Sequence, residues 1–250
     1  MSEQNEKKPA EKIKEVARAE SAPAPVRRYR ALLFQSVLVL FAAGFGVLTF
    51  LVKTTPSFAT DLLITHSIQL ITFPTFAWLM TIISWAGFAP QVIIITAVII
   101  LIIYFLGLHW EALMAIIAAL FSTGINLLVK DLVQRPRPGA SMVNVIDTLN
   151  SYSFPSGHVM YYIGFLGFIG FLVFSLMKPS VKRSILLTLI GFPIVMIGVS
   201  RIYLGQHWAS DVLGAYLLGS LTLVAIIQCY RWGKTRFFVH QPVAAEALQT

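Results

Sequence analysis

Three short stretches hold the residues whose types and spacing could do chemistry. Residues 200 to 211 read SRIYLGQHWASD, which brings Arg201, His207 and Asp211 close together along the chain. His207 and Asp211 are four apart, so on a helix they would share one face, a turn from each other. A carboxylate that holds one ring nitrogen fixes the tautomer and leaves the other nitrogen electron-rich, as a nucleophile or base. The second stretch is PSGH, residues 155 to 158. Pro155 stops a loop, Ser156 is a natural N-cap, Gly157 allows close backbone approach, and the first turn of a helix starting there leaves amide N–H groups unpaired. That is a cradle for an anion, with a second imidazole, His158, at its edge. The third stretch, KDLVQRPRP, contributes Lys130 and Arg137, with Arg135 between them. Against these cations the nearby negative charges are Asp211, Asp131 and Asp147. The missing counter-charge is expected from a substrate, and a phosphate group contacted by Lys130, Arg137, Arg201 and backbone amides would supply it.

These stretches need elements to position them, and composition says what kind. The 250 residues are 57% hydrophobic and 12% charged, with mean hydropathy +0.77. One soluble core cannot hide that much apolar surface, whereas long apolar runs fit membrane spans. The expected fold is all-α, a polytopic integral membrane protein with six transmembrane helices. Apolar length and breakers place them at about 31–52, 90–107, 110–131, 157–177, 184–203 and 208–230. Between the first two lies PSFATDLLITHSIQLITFPTFAWLMTIISWAGFAP, apolar but interrupted by Asp61, His66, Gln69 and Pro74. It reads as a pair of short interfacial or re-entrant helices. Cys229 is the single cysteine, which excludes a disulfide framework and a thiolate metal cluster.

The formal charge of +8 is informative through its distribution. Residues 1–30 carry eight Lys/Arg against five Glu and include APAPV, and read as a basic, mostly disordered cytoplasmic tail. Residues 31–230 form the membrane domain, and 231–250 a cytoplasmic C-terminal tail. With the N-terminus inside, the loop KPSVKRS and the segment RWGKTRFF also face inward, as the positive-inside rule asks. Lys130, Arg135, Arg137 and Arg201 then fall together on the outer face, against that rule, so they need a purpose other than topology. The charge is therefore assigned to the membrane and a phosphate substrate, with no nucleic-acid partner. Trp110 and Trp232 are expected at inner interfaces and Trp208 at the outer one.

Lys-x6-Arg-Pro (Lys130, Arg137, Pro138), Pro-Ser-Gly-His (155 to 158) and Ser-Arg-x5-His-x3-Asp (Ser200, Arg201, His207, Asp211) occur in this order. Together they resemble the three-part signature of the type 2 phosphatidic acid phosphatase superfamily, with every signature position present. The resemblance covers about residues 130 to 215, and six spans is also the usual architecture of that family's membrane branch. It implies that His207 attacks phosphorus to form a phosphohistidine, that Asp211 orients it, and that His158 protonates the leaving oxygen. Lys130, Arg137, Ser156, Gly157 and Arg201 would bind the phosphoryl oxygens. No cofactor and no metal is expected, and the sequence has no clustered Asp/Glu set of the kind a hard cation prefers. The implied protein is a multi-pass enzyme of the cell membrane, acting at the outer face on a lipid phosphate or diphosphate.

Plainer readings compete. A lone His and Asp at a helix mouth is ordinarily a structural hydrogen bond, and a lone Lys at a helix end a snorkelling anchor. Three ordered motifs override both. Arg135 follows Lys130 by five and not seven, so it is either a secondary phosphate or headgroup contact or a loop cation facing lipid headgroups. His66, His109 and His240 read as structural or solvated, Asp61 and Asp147 have no assigned role, and Pro193 is expected to kink its helix. The same polar cluster could serve an anion-binding transporter without hydrolysis. A vanadium haloperoxidase shares the residue set, but those relatives are soluble. Phosphatidate, phosphatidylglycerol phosphate, diacylglycerol diphosphate and polyprenyl diphosphates such as undecaprenyl diphosphate all present the same terminal phosphate on an apolar anchor.

Overall fold

The computed structural model describes residues 24–237, and among them every regular element is a helix. The expectations placed on residues 1–23 and 238–250, His240 included, lie outside the described residues. The elements are α1 (Ala24–Thr54), α2 (Ala59–Gln69), α3 (Pro74–Trp85), α4 (Gln91–Phe105), α5 (His109–Val133), α6 (Gly157–Leu176), α7 (Val181–Tyr203) and α8 (Ala209–Phe237). The chain divides into two compact units, Met1–Phe41 and Ala42–Thr250, and all the residues of the three motifs lie in the second. The described part of the first unit is the opening stretch of α1, whose Leu32, Leu33, Phe34, Val39 and Leu40 are exposed.

Five helices, α1, α5, α6, α7 and α8, are long and apolar enough to cross a bilayer. α4, expected as a sixth span, has fifteen residues. At about 1.5 Å per residue it extends about 22 Å, short of a hydrocarbon core of about 30 Å. The interrupted stretch before it does form two short helices, α2 and α3. The limits have local causes. Pro74 stands at the first position of α3, where a missing N–H costs nothing. Ser180 caps α7 by accepting from the Arg183 amide at 3.2 Å. α5 ends at Gln134, which takes the left-handed conformation (φ 56), and Pro136 and Pro138 then prevent the helix from resuming. α7 runs past Pro193 as one continuous helix.

α6 is the central helix of the bundle, in contact with α5, α7 and α8. One core joins Met114, Ala115 and Ala118 of α5 to Phe165 and Phe168 of α6 and Ile226 and Tyr230 of α8. A second joins Met80 and Ile83 of α3 to Met160 and Ile163 of α6, Ile197 of α7 and Ala215 of α8. Many large apolar side chains point outward instead, among them Leu101, Leu120, Leu128, Leu189 and Val195. Apolar residues on both the inside and the periphery are the pattern of a protein dissolved in lipid. The protein is a multi-pass membrane protein. One turn of α6, Tyr162–Leu166, is π-helical and follows the helix's first α-helical turn, Gly157–Tyr161.

The two ends of the bundle differ in chemistry. The N-terminus of α5 and the C-terminus of α8 meet where Glu111 accepts from Tyr230 Oη (2.9 Å) and from Lys234 Nζ. The opposite ends of α5 and α8, the start of α6 and the end of α7 carry the three motifs.

Candidate functional site

Each motif is fixed by its own backbone before any side chains meet. α7 ends one turn past Arg201, and a tight turn with Gly205 at φ +66 reverses the chain. A side chain at Gly205 would run into the backbone carbonyl of Asn144, so the turn requires glycine. The carbonyl of Arg201 accepts from the amides of Gln206 (3.1 Å) and His207 (3.3 Å), which hangs the histidine on the helix that carries the arginine. His207 therefore lies on the turn before α8, not on the helix itself. Asp211 still reaches it, because its carboxylate folds back to accept the Trp208 amide at 2.9 Å, as a third-position residue does in a capping box. That places Asp211 Oδ2 3.4 Å from His207 Nδ1. Ser153 completes the corner: its hydroxyl donates to Asp211 Oδ2 and lies 3.5 Å from His207 Nδ1.

The other face of the imidazole meets cations. His207 Nε2 is 3.1 Å from Arg137 Nη1. Arg137 is itself clamped by carbonyls: Nη1 donates to Gln206 O at 2.5 Å, Nε to Ser151 O at 2.7 Å, and Nη2 to Ser151 Oγ at 2.9 Å and Tyr152 O at 3.3 Å. The ammonium of Lys130 also donates to Tyr152 O. Arg201 is fully buried; Nη1 donates to Ser84 Oγ, and the guanidinium lies 5.0 Å from the Phe88 ring centre. His158 packs edge-on against the same ring at 4.5 Å, so Phe88 holds both groups in place.

The PSGH turn links α5 to α8. The Ser156 amide donates to Asp211 O at 3.2 Å, and Asn126 Nδ2 donates to Pro155 O at 3.0 Å. A Cβ at Gly157 would sit 3.1 Å from Asn126 Oδ1 and 4.0 Å from Lys130 Cε, which is why the turn can lie against the lysine stem. Ser156 occupies the N-cap position of α6, yet its hydroxyl does not cap the helix. Four polar groups here are buried without a protein partner among the described residues: Ser156 Oγ, His158 Nε2, and Nε and Nη2 of Arg201. Buried donors left unpaired are costly, and their convergence marks a place for an oxygen-rich anion.

The electrostatics favour an uncharged imidazole. Burial, and then the positive charges of Arg137, Lys130 and Arg201, hold the His207 pKa well below the usual histidine value. Burial also lowers the Arg137 pKa, with Asp211 opposing the shift. The lone pair of His207 is thus available for bonding.

The structure gathers all eight motif residues read from the sequence: Lys130, Arg137, Ser156, Gly157, His158, Arg201, His207 and Asp211. It corrects the reading of two neighbours. Arg135 is neither a headgroup contact nor a lipid-facing cation. It is 1% exposed, and its guanidinium bonds Asp211 Oδ1 at 2.5 Å and Asp61 Oδ2 at 2.8 Å. Trp208 is buried, not interfacial, with Nε1 donating to Pro136 O at 3.2 Å. Asp61, left without a role, is a buried partner of that network. Ser84, Asn126, Ser151 and Ser153 also went unread; small polar residues in apolar company carry no spacing signal. Asp61 did carry one, as a carboxylate in a membrane segment, which must find a cation. His66 Nε2 donates to Met142 O at 2.9 Å, and His109 packs on Tyr104; neither belongs to the site.

A cleft of about 780 Å³ leads away from the motifs. Gly157, His158 and Asn126 stand at its polar end, and Val92, Ile93, Ile100, Leu120 and Leu127 of α4 and α5 line its length.

Comparison with known proteins agrees with this architecture. A sequence-family model for the PAP2 superfamily matches residues 108–234. Phosphatidylglycerophosphatase B of Bacillus subtilis (strain 168) is 30% identical over 191 residues, which cover 76% of this chain and 88% of that protein. The crystal structure of a transmembrane PAP2-type phosphatidylglycerolphosphate phosphatase from Bacillus subtilis superposes with a TM-score of 0.68 at 26% identity. That match covers 80% of this chain and 98% of the other. The Aquifex aeolicus LpxE structure superposes with a TM-score of 0.55 at 22% identity, over 70% of this chain and 98% of the other, a likeness of fold.

Proposed function

The chain belongs to the PAP2 superfamily, and from that membership we propose that it is an integral membrane lipid phosphatase that removes a terminal phosphate through a phosphohistidine on His207. The observation that carries the reading is the buried imidazole of His207, flanked by Arg137 at 3.1 Å on one nitrogen and Asp211 at 3.4 Å on the other. His207 Nε2 attacks phosphorus as the bond to the lipid oxygen breaks, and His158 delivers a proton to that oxygen. The second step reverses the roles: His158 takes a proton from water, water attacks the phosphohistidine, and inorganic phosphate leaves with His207 restored. Asp211 and Ser153 hold the imidazole while it carries positive charge. Lys130, Arg137, Arg201, Ser156 Oγ and the amides at Gly157 take the phosphoryl oxygens, supplying the charge stabilisation that phosphoryl transfer mostly consists of. Fixed cations serve where other phosphatases use metal ions. Among the described residues no three His, Cys, Asp or Glu side chains are grouped to hold one.

The apolar cleft supports a lipid substrate, because its polar end is His158 and Gly157 and its walls are aliphatic. A phosphate on an acyl or prenyl anchor would place the headgroup among the motifs and the chain between α4 and α5. Phosphatidylglycerol phosphate gains weight from the relative's name, with phosphatidate and undecaprenyl diphosphate as further substrates of the same form. α4, extended by its flanking turns, completes six spans, with α2 and α3 lying at the interface. Lys178, Lys182 and Arg183 sit at the end of the bundle away from the motifs, which supports cytoplasmic termini and an outer-face site.

The test is a phosphate-release panel with purified protein over lipid monophosphates and diphosphates, beside His207→Ala. Release by the wild type and none by the variant is expected. Substantial release by a folded His207→Ala protein would overturn the nucleophile assignment. Phosphate or lipid-phosphate flux across vesicles without any release would favour the transporter.

A further inference from the structure

Two buried charges have no part in the chemistry above. Asp61 comes from α2, a short helix outside the family motifs, and Arg135 from the loop after α5. Both are within 2% of full burial, as is Asp211. Arg135 uses every nitrogen: Nη1 on Asp211 Oδ1 (2.5 Å) and Ser210 Oγ (2.7 Å), Nη2 on Asp61 Oδ2 (2.8 Å), and Nε on Pro56 O (2.9 Å). Asp61 then takes hold of α8 directly, accepting the Ser210 amide at Oδ1 (2.8 Å) and the Ser210 hydroxyl at Oδ2 (2.7 Å). The guanidinium is sandwiched further between Phe58 and Trp208, at 5.4 and 5.9 Å.

The arrangement divides the two oxygens of Asp211 between different tasks. Oδ2 faces His207, Ser153 and the Trp208 amide; Oδ1 is given over to Arg135. A carboxylate held at Oδ1 by Arg135 and at Oδ2 by Ser153 and the Trp208 amide is restrained from rotating, so Oδ2 stays aimed at the imidazole. Arg135 alone would do this at the cost of drawing the carboxylate's charge away from His207. Asp61 offsets that, because it shares the same guanidinium. Two carboxylates and one guanidinium leave a net negative charge beside His207, available when the imidazole becomes positive in the phosphoryl-enzyme.

We propose that Asp61 and Arg135 are positioning residues for the reaction: they fix the orientation of Asp211 and set how much of its charge His207 receives. The inference rests on the phosphatase reading, since it concerns the same histidine. Lysine would not reproduce the arrangement, because its one nitrogen cannot occupy the separate positions from which Nη1, Nη2 and Nε reach Asp211, Asp61 and Pro56. Because Asp61 lies seventy-four residues from Arg135, it links α2 to the site and gives that helix a purpose beyond packing.

The experiment uses the full-length protein in detergent micelles with a short-chain phosphatidate as substrate and orthophosphate as competing ligand. Asp61→Asn keeps the shape and removes the charge. Its kcat should fall on the order of 10- to 100-fold, the scale of a misplaced reacting group. KM and the orthophosphate inhibition constant should stay within about twofold, as for a loss confined to the transition state. A substrate-binding role would raise KM and the inhibition constant instead, and a purely structural role would leave kcat per folded molecule unchanged; either overturns the proposal. Should Asp61→Asn not fold, Ser210→Ala leaves all three charges in place and removes only the shared hydroxyl. A smaller fall in kcat at unchanged KM supports the proposal, and an unchanged kcat overturns it. A wild type that releases no phosphate from any lipid monophosphate or diphosphate of the panel overturns this inference together with the phosphatase reading, whereas an active wild type with unaffected variants overturns this inference alone.

Discussion

Replacing Arg201 with methionine should make the ligand-free protein more stable while destroying its activity. The guanidinium is fully buried and satisfies one nitrogen on Ser84, leaving Nε and Nη2 without protein partners. Two unpaired donors on a charged group cost about 4–6 kcal/mol. The Ser84 bond and the Phe88 face return about 2–5 kcal/mol. Repulsion from Arg137 adds to the cost, so removal is favourable by about 1–2 kcal/mol. For a chain of this size that is about 2–8 °C in apparent Tm, read at one scan rate in one detergent. The second half of the prediction is the response to ligand. Orthophosphate or vanadate at a hundred times its Kd should stabilise the wild type by about 2.7 kcal/mol. The Arg201→Met protein should show almost no such shift and no phosphate release. A variant that is less stable than wild type, or that keeps the ligand-induced shift, would refute the idea that Arg201 is strained in order to meet a phosphoryl group.

Four more expectations concern the acid, the nucleophile, stability and metal. A methyl group at Gly87 would overlap His158 Cδ2 and stand 2.9 Å from Nε2, so Gly87→Ala should displace the acid. Hydrolysis of an alkyl phosphate should then slow about tenfold or more, while an aryl phosphate, whose leaving group needs little protonation, is spared; equal slowing of both contradicts the assignment. Because the His207 pKa is held well below the usual value, the unprotonated nucleophile should persist to well under pH 6.5, and Lys130→Gln, which removes one of the repelling cations, should move the acid limb of kcat/KM to higher pH. The same depression has a stability consequence of fixed sign: the unfolded chain binds a proton at this histidine that the folded one refuses, so stability declines as pH drops below 6.5. Activity should survive EDTA, and activity lost on chelation and restored by Mg²⁺ would reject the metal-free mechanism.

The eight motif residues were legible because their roles demand fixed types at fixed separations within one chain segment. Arg137 can reach His207 only if it follows the helix that ends near Lys130, and the prolines of RPRP enforce that stop. The helices were legible because lipid imposes length and apolarity. What escaped was pairing across sequence distance. Arg135 looked like a surplus cation on an exposed loop, and Asp61 like an interfacial acid; nothing in either local pattern says that the two meet. Trp208 was misplaced for a related reason. An indole at a span boundary is usually interfacial, but here the chain folds back over it and the Pro136 carbonyl satisfies its N–H. α4 was read as a span because its composition is uniformly apolar; its fifteen helical residues make it shorter than the other five.

In the proposed mechanism, the positions of the charges explain how His207 can be uncharged at rest and still carry a positive charge as a phosphohistidine. Its Nε2 side faces Arg137, with Lys130 and Arg201 adding their fields, and this side repels a proton. Its Nδ1 side faces Asp211, which is anchored by a network that is negative overall. A phosphate arriving on the Nε2 side neutralises the cations, so the obstacle to a positive imidazole is removed by the substrate itself. Attack and charge compensation are thereby coupled. A bare proton, unlike a phosphoryl group, brings no negative charge with which to offset the three cations, and that difference is what keeps the nucleophile free until substrate binds.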